Sequence, residues 1–245
     1  MLRPTPSLPG LLQSDGMSDI IYRMSNARPH KSILANVPGP ADVPRKSEQT
    51  RTEILEAALD FLWTHPFRDL TVNELMSTTS AGRSAFYQYF GDLYELIETL
   101  LRGLETAILD VATPWLQGQG DVLALLTESL TGLVQVCYER GPILRAVSDA
   151  AVSDERLEHE WTRFLTKFDD AVAARIEDHQ QQGLIADFEA RPVATALNRM
   201  DASLLIDAFG RRPRRQQQPV LDAICRIWIS TLYSTETRFD ERSDS

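Results

Sequence analysis

The sequence predicts an all-α fold, and three observations predict it. From Lys46 to Tyr233, apolar residues recur three and four positions apart, which puts them on one face of a helix turning every 3.6 residues. No stretch of useful length alternates apolar and polar residues as a half-buried strand would, and there is no internal repeat. Prolines, glycines and capping residues fall between the apolar stripes, where helices start and stop. A chain of 245 residues, 43% hydrophobic and 24% charged, has the composition of an ordinary soluble globular protein of one or two domains.

Taken in order, residues 1–44 are rich in Pro, Ser, Gly and Asn and lack an apolar period, so they read as a disordered arm; Met1, Met17 and Met24 are all candidate starts. Ile54, Ala58, Phe61 and Leu62, widened by Leu55 and Leu59, mark a first helix. It ends at His65-Pro66, because Pro pushes the residue before it out of helical geometry. Thr71-Val72-Asn73-Glu74 is a capping box that opens a short helix ending near Thr78-Thr79. Ser80-Ala81-Gly82 is a turn, Arg83 to Phe90 a second short helix, and Gly91-Asp92 a break, which closes a domain over 45–91.

A second domain, 92–235, reads as helices throughout. Leu93, Leu96, Leu100, Leu104, Ile108 and Val111 form one stripe, which Pro114 is expected to stop. Residues 121–140 form the next helix, expected to end at Gly141-Pro142, with a short helix over 142–151. Leu157, Trp161, Phe164, Phe168, Val172 and Ile176 mark a long helix up to Gly183. Val193, Leu197, Met200, Leu204 and Ala208 mark one up to Gly210, and Leu221, Ile224, Trp228 and Leu232 mark the last. Residues 236–245 are a polar tail.

Composition also excludes function classes. No apolar run approaches the roughly 20 residues of a membrane span, and Met1-Leu2-Arg3-Pro4-Thr5-Pro6 lacks the core of a secretion signal, so a cytoplasmic protein is expected. Cys137 and Cys225 lie in apolar helical patterns as small buried residues. The histidines have no metal-ligand spacing, and there is no Gly-rich phosphate loop or Gly-x-Ser-x-Gly elbow; no enzyme, cofactor or metal is expected. The net charge of −10 argues against a protein that coats nucleic acid everywhere. Yet seven Lys/Arg against four Asp/Glu make the first 52 residues +3 and leave −13 for the rest, so an acidic body carries a basic arm. The basic run Arg211-Arg212-Pro213-Arg214-Arg215 lies far along the chain from that arm and reads as a solvated loop.

The segment that carries function is 71–90. A capped helix, a tight turn and a helix beginning Arg83-Ser84-Ala85 have the layout of a helix-turn-helix. Phe86 and Phe90 can face the small core, which turns Arg83, Ser84, Tyr87 and Gln88 outward. Such a surface suits a DNA groove: Arg reads guanine or pairs with phosphate, and hydroxyls and amides meet phosphate oxygens. The run from Thr71-Val72-Asn73-Glu74-Leu75-Met76 through Ala85-Phe86-Tyr87-Gln88-Tyr89-Phe90 resembles the DNA-binding domain of the TetR family of transcriptional repressors. The resemblance implies DNA contacts from Thr71, Arg83, Ser84, Ala85, Tyr87 and Tyr89. Three positions depart from the family's pattern: Ser80 stands for the turn glycine, Gly82 for the serine that caps the recognition helix, and Leu93 for a phosphate-binding lysine. Arg45, Lys46 and Arg51 are expected to compensate for that lysine.

A second resemblance covers the C-terminal part. Glu160-Trp161-Thr162-Arg163-Phe164, Ala194-Thr195-Ala196-Leu197-Asn198-Arg199-Met200 and Ile227-Trp228-Ile229-Ser230-Thr231-Leu232-Tyr233 look like the TetR branch typified by the regulator of ethionamide activation. It implies nine helices, a homodimer through the last two and a narrow apolar tunnel. Trp161, Phe168, Asn198 and Trp228 match pocket positions of that branch, and Val172 and Asp201 stand at similar positions with changed chemistry. Thr127, Val134 and Phe164 complete the candidate ligand set. On spacing alone the aromatics read equally well as core, and Asp201, costly to bury, is expected to face water unless hydrogen-bonded. The expected protein is a repressor that grips operator DNA and is released by a small hydrophobic effector. The alternative is an all-helical lipid carrier or enzyme with the same pocket.

Overall fold

The structure, a computed structural model, describes residues 45–233; the expected arm over 1–44 and tail over 236–245 lie outside the described residues. Among the described residues there are eight α-helices, one 3-10 turn and no strand. α1 (Arg45–Leu62) buries Ile54, Leu55, Ala58 and Leu62. Pro66, in extended geometry, ends the excursion after it and opens the 3-10 turn Phe67–Asp69. α2 (Val72–Ser77) and α3 (Arg83–Tyr89) complete a three-helix head.

The body follows as α4 (Leu93–Gln117), α5 (Val122–Ala151), α6 (Glu155–Gln181), α7 (Ala190–Phe209) and α8 (Gln217–Leu232). Three of these helices start on an aspartate N-cap: Asp92 Oδ1 accepts from Glu95 N–H at 2.7 Å, Asp121 from Leu123 and Ala124, and Asp154 from Leu157. α5 is the central element, packed against α4, α6, α7 and α8. α4 and α6 are also joined by charge. The buried Glu98 pairs with Arg156, and the buried Glu105 takes Arg163 at 3.0 Å and Lys167 at 2.5 Å. Among the described residues no helix is long and apolar enough to cross a membrane.

Two expectations are corrected. Pro114 does not stop its helix: α4 runs on to Gln117. A proline removes its own N–H and crowds the carbonyl four residues back, and here α5 supplies partners to the backbone around it, since Ser129 Oγ accepts from Trp115 N–H at 3.0 Å and donates to Ala112 O at 3.3 Å. Nor does Gly141-Pro142 break α5, which is continuous from 122 to 151. Gly141 is there for close packing: a Cβ on it would lie 2.4 Å from the Phe209 carbonyl oxygen of α7. Pro142 lacks the N–H that would have bonded the Tyr138 carbonyl four residues back, and Arg214 Nη1 donates to that oxygen instead at 2.6 Å.

In the run 211–215, Arg211, Arg212, Pro213 and Arg215 are exposed, as a solvated loop would be, and the departure from that reading is Arg214, which is half-buried. Its guanidinium lies 3.7 Å from the Tyr138 ring centroid and 5.0 Å from that of Trp63, and Arg212 lies over Trp63 from 5.0 Å. The basic run is distant from the head in sequence and packed against it in space.

Candidate DNA-reading face and effector cavity

The head displays a polar helix on an apolar base. Thr71 caps α2, its Oγ1 accepting from Glu74 N–H at 3.1 Å, and so sets the angle at which the chain enters the motif. The turn that follows is held from α1: Glu53 accepts from Ser80 N–H at 2.5 Å and from Ser80 Oγ–H at 2.7 Å, and these bonds hold its carboxyl below the usual carboxylate range. Ser80, a departure from the TetR pattern, therefore ties the turn after α2 to α1. Nothing in the one-dimensional pattern signalled Glu53, because its partner is 27 residues away.

Phe86 and Phe90 are buried, with ring centroids 5.7 Å apart. That anchoring turns Arg83, Ser84, Tyr87 and Gln88 outward, and Tyr87 is 52% exposed. The Tyr87 ring stands edge-on to Phe86 at 5.3 Å with the Arg83 guanidinium 6.0 Å from its centroid, so aromatic packing orients an exposed side chain. Ala85 is half-buried. Tyr89 is placed differently from its neighbours: it is half-buried, and its hydroxyl bonds Ser47 Oγ of α1 at 2.8 Å. Arg51 covers Phe90 from 5.5 Å; burial and the nearby Arg102 lower its pKa. Arg45 and Lys46 open α1, and their side chains lie outside the described residues.

Gly82 caps α3 without a side chain, at φ −81° and ψ 168°, an extended geometry open to any residue, and a Cβ there meets nothing within 4 Å. Gly82→Ser is therefore expected to add a side-chain cap and raise stability by a few tenths of a kcal/mol. The urea midpoint reads this; a fall would show that the turn has no room for the hydroxyl.

The second site is a cavity of about 90 Å³ in the body. Phe164, Phe168, Val172, Asn198, Asp201 and Trp228 from the sequence-derived set all line it. Trp161, Val134 and Thr127 do not. Trp161 stacks on the outer side of Phe164 at 5.5 Å, Val134 is buried elsewhere in the core, and Thr127 donates to Leu123 O. The sequence reading missed the contribution of α4 (Ile108, Ala112, Trp115) and the α5 residues Ser129 and Cys137. On spacing alone these are ordinary stripe residues.

The polar groups around the cavity are tied in a definite way. Asp169, buried beside it, takes Arg199 through both oxygens at 3.2 and 3.1 Å, Thr195 Oγ1 at 3.1 Å and Asn198 Nδ2 at 3.0 Å. Because a carboxylate paired with arginine only accepts, this contact fixes which end of the Asn198 amide faces it. At one end of the cavity, Trp115 Nε1 donates to Tyr233 Oη at 2.8 Å, and Tyr233 Oη is hydrogen-bonded to His179 Nδ1 at 2.9 Å. Burial first and Arg175 second lower the His179 pKa, which favours the neutral ring.

Of the two expectations for Asp201, the structure shows the buried, hydrogen-bonded one: the residue is only 4% exposed. Its Oδ2 accepts from Trp228 Nε1 at 2.9 Å, its Oδ1 has no partner, and burial pushes the carboxyl up to about 7.

Comparison with known proteins gives concordant likenesses. Residues 126–234 match the model of the "Transcriptional regulator EthR, C-terminal domain" family. The HTH-type transcriptional regulator EthR of Mycobacterium tuberculosis is 25% identical over 186 residues, which cover 74% of this chain and 85% of that protein. Among solved structures, Salmonella enterica GusR superposes with a TM-score of 0.62 at 19% identity, covering 76% of this chain and 96% of that one. The regulatory protein TetR from Rhodobacter sphaeroides superposes with a TM-score of 0.61 at 16% identity, covering 75% and 98%.

Proposed function

Its fold, its EthR-type C-terminal domain and its EthR relatives make this chain a TetR-family, EthR-like regulator, and we propose that it is a repressor: it holds a two-fold operator as a homodimer and lets go when a small hydrophobic effector fills the body cavity. The observation that carries this reading is α3, where Arg83, Ser84, Tyr87 and Gln88 stand in solvent above buried Phe86 and Phe90. A carrier or enzyme built around the cavity has no use for such a helix. Arg83 reaches phosphate or a guanine edge, and Ser84 and Tyr87 donate to phosphate oxygens. Thr71 presents the start of α2 to the backbone, Ala85 and Tyr89 support the groove face, and Arg45, Lys46 and Arg51 approach phosphates from α1.

The dimer forms through α7 and α8. Their outward sides hold Ala196, Met200, Leu204 and Ile227, apolar residues left partly or largely in solvent by the single chain. Pairing them buries that surface and sets the separation of two reading heads over successive major grooves. Release is a population shift. α4 begins directly after the head and lends Ile108, Ala112 and Trp115 to the cavity wall, so a ligand that spreads the wall favours a different head spacing. It derepresses only as far as its affinities for the two states differ.

The test is a gel shift on DNA upstream of the protein's own gene across a salt series. Binding is expected to fall steeply with salt. The Arg83→Ala/Tyr87→Ala variant, altered only at exposed positions, is expected to bind on the order of 100-fold more weakly with an unchanged thermal melt. A variant that binds as well as the parent overturns the assignment of α3 as the reading helix.

A further inference from the structure

The polar groups of the cavity have a common sign. The Trp228 indole N–H is committed to Asp201, that of Trp115 to Tyr233, and the Ser129 hydroxyl to the Ala112 carbonyl. Asn198 turns its amide nitrogen to Asp169. Among the residues that line the cavity the strong donors are bonded within the protein, apart from the second amide hydrogen of Asn198 and the weakly donating thiol of Cys137. With Asp201 ionised, as it is above about pH 7, what remains is acceptor: its Oδ1, buried in an apolar wall that includes Ile108, Phe164 and Phe168 and without a partner, and the carbonyl end of the Asn198 amide. A buried carboxylate oxygen with no donor is an unmet demand, and it selects what enters the space.

We infer that the effector is an amphiphilic amine, an apolar body carrying an ammonium or similar cationic N–H head that bonds Asp201 Oδ1. The inference rests on the reading of this cavity as the effector site and names the chemistry of its ligand. An N–H donor with positive charge gives Oδ1 the bond it lacks and pairs with the carboxylate in a medium of low dielectric. An alcohol offers the bond without the charge. A carboxylate brings a second acceptor and a like charge to a site already rich in acceptors. The raised pKa of Asp201 agrees: the empty site does not stabilise the charged form, so charge stabilisation is left for the ligand to supply.

The test titrates the full-length protein calorimetrically at pH 8 with three probes of equal chain length: n-octylamine, 1-octanol and octanoate. Octylamine is expected to bind at least tenfold more tightly than octanol, and octanoate more weakly than either. In Asp201→Asn the amine is expected to lose that advantage, which separates cavity binding from attraction to the acidic surface. An order in which octanol or octanoate matches the amine, or an amine preference that survives Asp201→Asn, overturns the inference. If the variant does not fold, the wild-type series repeated at high salt makes the same separation, and an amine preference that disappears there overturns the inference. Regulation is read separately by adding the same probes to the operator gel shift. If octylamine binds in the expected order yet leaves the DNA complex intact, the amine chemistry stands and the effector reading falls. If release follows octanol as readily as octylamine, the effector reading stands and the amine chemistry falls.

Discussion

Asp201→Asn is expected to stabilise the protein at pH 8 and to leave it nearly unchanged at pH 4. Burial raises the Asp201 carboxyl from 3.8 to about 7 in the folded chain, the hydrogen bond from Trp228 working weakly the other way. A carboxyl with a raised folded pKa favours folding fully below its unfolded value, and that contribution is lost as pH climbs through the folded value. The window is therefore about pH 4 to 7. At about 1.4 kcal/mol per pH unit, the charge left buried above it costs on the order of 4 kcal/mol. Asparagine keeps an oxygen for Trp228 Nε1 and removes the charge. The two titratable neighbours, Cys137 on α5 and Cys225 on α8, have thiol pKa values pushed up by burial and stay neutral across the window. The difference in melting temperature between variant and parent, at fixed protein concentration, is expected to grow from near zero at pH 4 to roughly 10 °C at pH 8. A difference that is flat with pH would mean that Asp201 titrates normally, in contact with water or an unseen donor.

Arg145→Met is expected to lower stability by on the order of 3 kcal/mol and to weaken effector control of DNA binding. Arg145 is a buried cation on α5 whose Nη2 donates to Leu62 O at 2.5 Å and His65 O at 3.0 Å. It thereby supplies the last carbonyl of α1, and one just beyond the helix, with the donor that a helix end lacks, and places positive charge where the helix dipole favours it. Methionine keeps the packing of the stem and removes the donor. The residue before it, Leu144, lines the cavity, so adjacent positions on α5 address the head and the cavity. Arg214, stacked on Tyr138 and Trp63, is a second clamp at the same joint. Urea denaturation reads the first effect. The fraction of operator complex released at saturating effector reads the second. Unchanged values in both would show that the joint is ornamental and that α4 alone transmits the signal.

How much of this was legible beforehand differs from element to element. The positions of α1, α2 and α3, the Thr71 cap and the burial of Phe86 with Phe90 follow from apolar spacing and capping chemistry, which act within a few residues. The outward set Arg83, Ser84, Tyr87 and Gln88 follows from the same local geometry. Tyr89 does not: its hydroxyl is bound by Ser47, 42 positions earlier, and spacing cannot anticipate that. Pro114 and Gly141-Pro142 carry strong local stop signals, and both are overridden. The missing proline donor at Tyr138 is replaced by Arg214, 76 residues away, and Gly141 answers to the backbone of α7.

The sequence by itself determined that this is a helical protein with a helix-turn-helix head and an apolar-striped body, because periodicity and caps are properties of short windows of chain. Only the tertiary structure decided that Asp201 is buried with one bare oxygen, that Glu53 locks the turn, and that a basic run far from the head grips it. Those facts depend on which donor meets which acceptor once α-helices pack. That pairing is set by the exclusion of water from contacts between residues remote in the chain, which no local pattern encodes.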